Sequence, residues 1–243
     1  MAVKAIIFDK DGTLIDFDSF WISVSIEVIN DIIDRFQMTD IPSADFLEAI
    51  GVKDGVTDID GILCKGTYEE TAESFLKVAK KYGYHVELSE ISPFVTQSYN
   101  KNSRHGTVRG TCDNLRGVLK SLKEQGIKLF VVTTDNPEIT SLCLEKLGVS
   151  DLFEKVFTDD DITPPKPDPS CAFKISEEYS IDLSDIIMVG DTMTDVRFAK
   201  NAGIRVISVG ANEENRKRLV PYADIVLRDV SCIPEQIGEG ILC

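Results

Sequence analysis

The second half of the chain alternates short apolar runs with stretches of helical pattern, and this alternation restricts the fold more than any other feature. The strands predicted after residue 110 lie at 127–132, 155–157, 186–189, 206–209 and 223–227. Between them lie segments with the start and stop residues of helices, such as Asn136-Pro137 and Gly148. Strands that alternate with helices are typical of a parallel sheet covered by helices on both faces. The pattern therefore predicts an α/β fold, a Rossmann-like doubly wound parallel sheet.

Residues 17–107 follow a different pattern, in which helical periodicity replaces the alternation. Apolar side chains recur at intervals of three and four residues over 18–36, and a capping-box sequence opens a predicted helix over 67–82. Residues 52–66 are rich in Asp and Gly and are predicted to form a loop. No strand is predicted in this part of the chain, which indicates an all-α insert.

The N-terminal apolar run, residues 3–8, comes before the insert and lacks a neighbouring strand there. A single strand is not stable alone, so this run must join the later sheet. We therefore predict two domains. The α/β core consists of residues 1–16 plus 108–243, and an all-α cap domain, residues 17–107, is inserted into it.

The composition limits the partners of the protein. A net charge of −15 disfavours nucleic acid and anionic membranes. Six scattered Cys and two His offer neither a disulfide framework nor a Cys/His zinc site. The chain begins directly with a strand, without a signal-peptide pattern, and has no apolar run near the ~20 residues of a spanning helix. We expect a cytoplasmic monomer or homodimer without nucleic-acid or membrane partners.

Two carboxylates, Asp9 and Asp11, directly follow the first apolar run, and Gly12 comes next as a turn residue. Side chains two positions apart in a strand share a face, so the two carboxylates begin close together. Like charges at the end of a buried strand are costly unless a cation lies between them. The open alternatives are a divalent metal, a shared proton, or a transferring phosphoryl group with its metal.

Other polar residues follow the later strands of the predicted sheet. In open α/β sheets the ligand crevice lies beyond the carboxyl ends of the strands. The polar residues expected at these ends are Asp9, Asp11, Thr133, Thr134, Lys166, Asp191 and Asp195. Carboxylates from two strand ends favour an oxygen-preferring cation such as Mg²⁺, and a hydroxyl with a Lys would hold a phosphate. The turns at Gly12 and Thr134 would add backbone N–H groups to that site.

Four segments together resemble the ordered motifs of the haloacid dehalogenase superfamily. They are Asp9-Lys10-Asp11-Gly12-Thr13, Thr133, Lys166 within Pro165–Pro169, and Gly190-Asp191-Thr192-Met193-Thr194-Asp195. The insert after the first motif is placed and sized like the type-1 helical cap of that superfamily. The resemblance is greatest to its phosphoglycolate phosphatase-like branch and covers essentially the whole chain.

The resemblance implies a role for each motif residue. Asp9 resembles the nucleophile that takes the phosphoryl group as an aspartyl-phosphate, and Asp11 resembles the general acid/base. Thr133 and Lys166 resemble the phosphate-holding residues, and Lys166 also offsets the charge of Asp9. The expected reaction is Mg²⁺-dependent hydrolysis of a small phosphorylated metabolite: phosphoglycolate, a sugar phosphate or a nucleoside monophosphate.

The resemblance also implies the metal ligands. Asp191 resembles a direct Mg²⁺ ligand, with Asp195 in support, directly or through water. Asp9 is also assigned to the metal, and Asp11 would contribute its backbone carbonyl. Gly12 and Thr134 are placed with the substrate-binding residues.

Substrate specificity is expected to come from the cap and its borders. The candidates are Trp21, Lys65, Thr67, Arg104, His105 and Arg109, of which Trp21, Lys65 and Arg109 are assigned to substrate binding. Trp21 stands where a β-phosphoglucomutase-type enzyme has His, which disfavours the alternative of a phosphomutase. A phospho-signalling module is a second alternative, but Asp11 favours turnover over a stored phosphate.

Overall fold

The computed structural model describes residues 3–159, 163–210 and 212–238. Numbered along the chain, the strands are β1 (Ala5–Phe8), β2 (Val52–Lys53), β3 (Val56–Thr57), β4 (Lys128–Val132), β5 (Lys155–Phe157), β6 (Ile186–Gly190), β7 (Arg205–Val209) and β8 (Ile225–Leu227). The α-helices are α1 (Phe17–Phe36), α2 (Ser43–Ala49), α3 (Ile62–Lys65), α4 (Tyr68–Lys81), α5 (Leu88–Asn102), α6 (Leu115–Glu124), α7 (Pro137–Lys146), α8 (Ser170–Tyr179), α9 (Met193–Ala202), α10 (Glu213–Leu219) and α11 (Ile233–Gly238).

The chain divides into two compact units. We call Met1–Asp16 with Val108–Cys243 the α/β unit, and Phe17–Thr107 the helical unit. None of the helices in the described part of the chain is long and apolar enough to cross a membrane.

The α/β unit is built on a six-stranded sheet in the order β5-β4-β1-β6-β7-β8. Every neighbouring pair in it is parallel. β1 lies at the centre, where Ile6 pairs with Leu129 on one side and Ile187 on the other. All four residues of β1 are completely buried, as expected for a strand covered on both faces. The predicted α/β fold with a doubly wound parallel sheet is confirmed.

The parallel order places the carboxyl ends of the strands at one edge of the sheet. Because β4, β1 and β6 are adjacent, the loops that follow them lie side by side. The loop after β5 belongs to the same edge. These are the segments in which the sequence predicts the chemistry, so the fold brings the motif residues of distant parts of the chain to one place.

The helical unit contains α1 to α5, and α4 begins with the predicted capping box. The Thr67 hydroxyl accepts from the Glu70 N–H at 3.2 Å, while the Glu70 carboxylate accepts from the Thr67 N–H at 2.7 Å. These reciprocal bonds satisfy two N–H groups that the first turn of the helix leaves unpaired.

The prediction that residues 52–66 form only a loop was wrong. This segment contains a small antiparallel hairpin, β2–β3, and the short helix α3. Asp54 and Gly55, at the hairpin turn, have φ of 52° and 77°. Asp-Gly suits a two-residue hairpin turn because both positions need positive φ. The turn signal was present in the sequence, but the strands are too short to show an alternating pattern.

Candidate active site

Asp9 continues the central strand into the candidate site. Its N–H donates to the Val189 carbonyl at 2.9 Å, so the hydrogen-bond ladder extends one residue past β1 and fixes the Asp9 backbone. Asp9 is only 7% exposed. The carboxylate therefore leaves the sheet edge from a rigid and largely desolvated position.

Gly12 turns the chain beside Asp191. Its φ is +81°, a conformation that favours glycine. A Cβ atom at this position would lie 2.1 Å from Asp191 Oδ2, far inside van der Waals contact. The Thr13 hydroxyl, one residue on, donates to Asp191 Oδ1 at 3.1 Å. Gly12 is therefore needed so that the Asp191 carboxylate can lie against the first loop.

Lys166 joins two carboxylates that are far apart in sequence. Its ammonium donates to Asp9 Oδ1 at 2.5 Å and to Asp195 Oδ1 at 2.6 Å. The Lys166 side chain is 4% exposed, so the contacts are not surface ion pairs weakened by water. Burial by itself would lower the pKa of Lys166, but the charges of Asp195 and Asp9 outweigh burial and raise it. Lys166 is thus a permanent positive charge beside Asp9.

Asp195 is held by its own helix. Its Oδ2 accepts from the Thr192 hydroxyl at 2.6 Å and from the Thr192 N–H at 3.1 Å, which forms a capping box at the start of α9. Gly190 allows the close approach, because a Cβ there would lie 2.3 Å from the Asp195 Cβ. Both Asp195 oxygens accept hydrogen bonds from the protein, so Asp195 positions Lys166.

Asp9, Asp191 and Asp195 form a group that fits a divalent cation. One oxygen from each lies within 4.8 Å of the others, and carboxylate oxygens are the donors that Mg²⁺ prefers. Burial raises the pKa of Asp9 to about 7 against the opposing charge of Lys166. Burial also raises the pKa of Asp191 well above its usual range, and the charge of Asp9 adds to the effect. Three carboxylates thus lie around one ammonium, and burial with mutual repulsion disfavours the ionised forms of Asp9 and Asp191 unless a cation offsets their charge.

These pKa values predict how stability depends on pH without divalent cations. Native Asp9 keeps its proton up to about pH 7, whereas the unfolded chain loses it near pH 4. Between about pH 4 and pH 7, Asp9 therefore binds more protons in the folded state than in the unfolded state. Its contribution to the free energy of unfolding consequently falls as pH rises through this range. We expect Mg²⁺ to raise Tm more at pH 8 than at pH 5.5.

Thermal melts at both pH values, with Mg²⁺ or with a chelator, would test this expectation. Asp9→Asn is the matched control, because it keeps the shape of the side chain and removes the titrating group. Its Tm should change less with pH than that of the wild type. Equal pH dependence in the two proteins would contradict the assignment to Asp9.

Thr133 lies directly after β4, beside the loop that follows β1. Its hydroxyl oxygen accepts from the Asp135 N–H at 3.2 Å, which orients the oxygen and leaves the hydroxyl hydrogen to serve as a donor. Thr133 is 6% exposed, whereas Thr134 is exposed. The geometry is compatible with the phosphate-holding role that the sequence predicts for Thr133.

Asp11 has a different environment from Asp9. Its Oδ1 and Oδ2 lie 2.9 and 2.8 Å from the Lys10 ammonium, which also lies 2.9 Å from Asp135 Oδ2. Its carboxylate is outside the metal-capable group found in the described residues. The metal contact predicted for Asp11 concerns its backbone carbonyl and stays a prediction.

The residues predicted to set specificity have ordinary contacts within their own units. Trp21 is half-buried, and its ring packs against Phe20 with centroids 5.1 Å apart. Lys65 is exposed and forms an ion pair with Asp60. Arg109 is exposed in the α/β unit, and its carbonyl accepts from the Asp16 N–H. Their part in substrate binding stays a prediction.

Four residues to which the sequence pattern assigns no role support the predicted site residues. Thr13 binds Asp191, Thr192 caps the helix of Asp195, and Lys10 and Asp135 flank the Asp11 carboxylate. Thr192 was detectable, since Thr followed by Asp three residues later is a capping-box spacing with Asp in place of Glu. The partnership of Lys10 and Asp135 depends on strand order, which sequence spacing alone does not give.

Comparison with known sequences identifies the family. Residues 6–209 match the sequence model described as haloacid dehalogenase-like hydrolase. The chain belongs to the haloacid dehalogenase-like hydrolases. The matched residues extend from β1 to β7 and include every motif residue from Asp9 to Asp195. The resemblance stated from the sequence is thus confirmed, and the protein is a hydrolase of that family.

Individual relatives are similar over most of their length. Pyrophosphatase PpaX from Bacillus velezensis is 27% identical over 94% of this chain and 94% of its own. N-acetylmuramic acid 6-phosphate phosphatase from Pseudomonas aeruginosa is 21% identical over 86% of this chain and 82% of its own. Among solved structures, the HAD-hydrolase YfnB from Bacillus subtilis bound to magnesium aligns with a TM-score of 0.71. It is 18% identical, and the alignment covers 98% of this chain and 99% of YfnB.

Proposed function

We propose that this protein is a Mg²⁺-dependent phosphatase that hydrolyses a small phosphorylated metabolite through an aspartyl-phosphate on Asp9. The observation that carries the proposal is the placement of Lys166, whose buried ammonium is hydrogen-bonded to Asp9 within a group of three carboxylates. Such a group combines a nucleophile, the fixed positive charge of Lys166 and carboxylate oxygens that can bind a cation. Phosphoryl transfer needs these parts, because its catalysis is mainly positioning and charge neutralisation.

In the first half of the reaction, a carboxylate oxygen of Asp9 attacks the phosphorus atom. The bond from phosphorus to the ester oxygen breaks as the bond to Asp9 forms, and Asp11 gives its proton to the leaving oxygen. Lys166 and Thr133 hold the transferring group with charge and a hydrogen bond. Lys166 also keeps the attacking carboxylate in a fixed orientation.

In the second half, water attacks the phosphorus atom of the aspartyl-phosphate. Asp11, now ionised, accepts a proton from that water, the bond between phosphorus and Asp9 breaks, and inorganic phosphate leaves. Both Asp9 and Asp11 then return to their starting states. One proton carrier thus serves both steps.

The residues that would hold the proposed Mg²⁺ can be named. Asp9 and Asp191 would hold Mg²⁺, with Asp195 beside them and the Asp11 backbone carbonyl as a further donor. When bound, Mg²⁺ supplies positive charge that lets the anionic substrate approach the carboxylates. The Thr13 hydroxyl holds the Asp191 carboxylate in place by a hydrogen bond. Gly12 leaves room for this carboxylate because it has no Cβ atom.

The names of two relatives extend the set of substrates worth testing. One similar protein is named a pyrophosphatase and another a phosphatase of a phosphorylated sugar acid. We therefore add pyrophosphate and sugar-acid phosphates to phosphoglycolate, sugar phosphates and nucleoside monophosphates. A phosphomutase is disfavoured because Trp21, which replaces His, offers an apolar ring packed on Phe20.

A phosphate-release screen over these substrates tests the proposed function. We expect turnover of at least one of them in Mg²⁺, loss of that turnover in excess chelator, and its return when Mg²⁺ is added. Chelation should remove activity because the uncompensated carboxylates would repel an anionic substrate. Turnover that persists in chelator would contradict the metal site, and no turnover of any phosphate ester or anhydride would contradict the phosphatase.

A further inference from the structure

A completely buried lysine lies between the two aspartates of the first motif. The Lys10 side chain is 0% exposed, although Lys is almost never buried without a partner. Its ammonium lies 2.8 Å from Asp11 Oδ2 and 2.9 Å from Asp135 Oδ2. One buried cation thus faces two carboxylates, which compensate for the loss of water around it.

The order of the strands creates this contact. β1 and β4 are parallel neighbours, with Phe8 paired to Val131. Lys10 is the second residue after β1 and Asp135 the third after β4. The two loops therefore meet at the same edge of the sheet.

Asp135 connects this ion pair to the phosphate-holding side of the site. Its N–H donates to the Thr133 hydroxyl oxygen at 3.2 Å. Its Oδ1 accepts from the Asn136 N–H at 2.8 Å, which fixes the carboxylate at the start of α7. Contacts thus run from Thr133 through Asp135 and Lys10 to Asp11, the residues proposed to hold the phosphoryl group and to move the proton.

We propose that Lys10 and Asp135 are positioning residues that together set the place of the Asp11 carboxylate. The inference rests on the proposed phosphatase function and adds to it two residues that do not touch substrate. The Lys10 ammonium contacts both the Asp135 and the Asp11 carboxylates. The contact with Asp135 therefore limits how strongly Lys10 binds Asp11, the proposed general acid/base. Without the charge of Asp135, the ammonium, which contacts both Asp11 oxygens, would pair with Asp11 alone and hold it more strongly, although Asp11 must reach the leaving oxygen.

Kinetics of four variants test the proposal, with a substrate that the wild type hydrolyses in Mg²⁺. Asp135→Asn keeps the shape and removes the charge, and we expect kcat to fall about tenfold with KM changed less than about twofold. Asp135→Glu keeps the charge and should retain more than about half of kcat. Lys10→Met should lower kcat, and Lys10→Met with Asp135→Asn should lose less than the product of the two single losses, since coupled residues are not additive.

An ion pair at the opposite end of β1 provides the control. Lys4 and Asp185 lie 2.7 Å apart, and Lys4→Met should leave kcat unchanged. A wild-type kcat in Asp135→Asn, or an equal loss in Asp135→Asn and Asp135→Glu, would overturn the inference while the phosphatase stands. Absence of turnover in the wild type would instead overturn the proposed function. Thermal melts of each variant identify any loss that comes from unfolding.

Discussion

Asp9→Asn is expected to lower kcat by about 10⁴-fold or more toward any substrate that the wild type hydrolyses. The amide has the shape of the carboxylate but no anionic oxygen to attack phosphorus. The fold should survive, because the amide oxygen can still accept the hydrogen bond from Lys166. The Asn variant should also bind Mg²⁺ more weakly, since one carboxylate of the group is lost.

Steady-state kinetics and thermal melts of the purified variant provide the measurement. Asp185→Asn, at the opposite end of the sheet, is the matched control and should keep the wild-type kcat, since Asp185 pairs with Lys4. Without metal, Asp9→Asn should melt no lower than the wild type at pH 8, because it removes a buried carboxyl whose pKa burial raises to about 7. If the Asn variant folds and keeps more than about a tenth of kcat, Asp9 is not the nucleophile.

The sheet could be predicted because each of its strands carries its own evidence. Residues 186–189 are all apolar, and residues 127–132 are apolar except for Lys128, which indicates burial on both faces. Alternation with helices then indicates parallel pairing. The first strand must join the same sheet, because a single strand is not stable alone. The order of the strands could not be predicted in the same way, because it is set by packing between segments that are distant in sequence.

The helices α10 and α11 were not predicted, because their sequences are short and their apolar pattern is weak. α10 spans Glu213–Leu219 and has one buried side chain, that of Leu219. Its start is fixed by the Asn212 side chain, which accepts from the Glu214 N–H at 2.8 Å. A helix of two turns with one anchoring residue gives too little periodicity for a prediction.

The candidate site could be predicted as a set of residues, but not as a set of contacts. Asp9, Lys166 and Asp195 were named from motifs, and their hydrogen bonds join residues 157 and 29 positions apart in sequence. The bond between the Lys166 ammonium and Asp195 could not be derived from spacing. Nor could the contact of Lys10 with Asp135, which exists only because β1 and β4 are neighbours.

Lys166→Met is expected to have the second large effect, on stability as well as on turnover. The substitution leaves Asp9 and Asp195 buried without the ammonium that both contact. Removing one partner from a buried ion pair costs about 3–5 kcal/mol in the free energy of unfolding. Turnover should fall by about 10²-fold or more, because the fixed charge beside the nucleophile and the phosphoryl group is lost. Denaturant unfolding and steady-state kinetics measure the two effects.

Lys174→Met is the matched control for Lys166→Met, because it removes an ammonium that donates to a neutral hydroxyl. Lys174 donates to the Thr163 hydroxyl at 2.9 Å, and its loss should change the free energy of unfolding by less than about 0.5 kcal/mol.

The combination of Lys166→Met with Asp9→Asn separates charge from packing. Lys166→Met is expected to lower the free energy of unfolding because it leaves two carboxylates without a compensating charge. If so, the additional Asp9→Asn substitution, which removes one of these carboxylates, should restore part of the free energy of unfolding. Mg²⁺ should restore part of it as well, since it supplies positive charge to the same group. If the double variant is less stable than Lys166→Met alone and Mg²⁺ has no effect, then Lys166 stabilises the site by packing, and charge compensation is not its role.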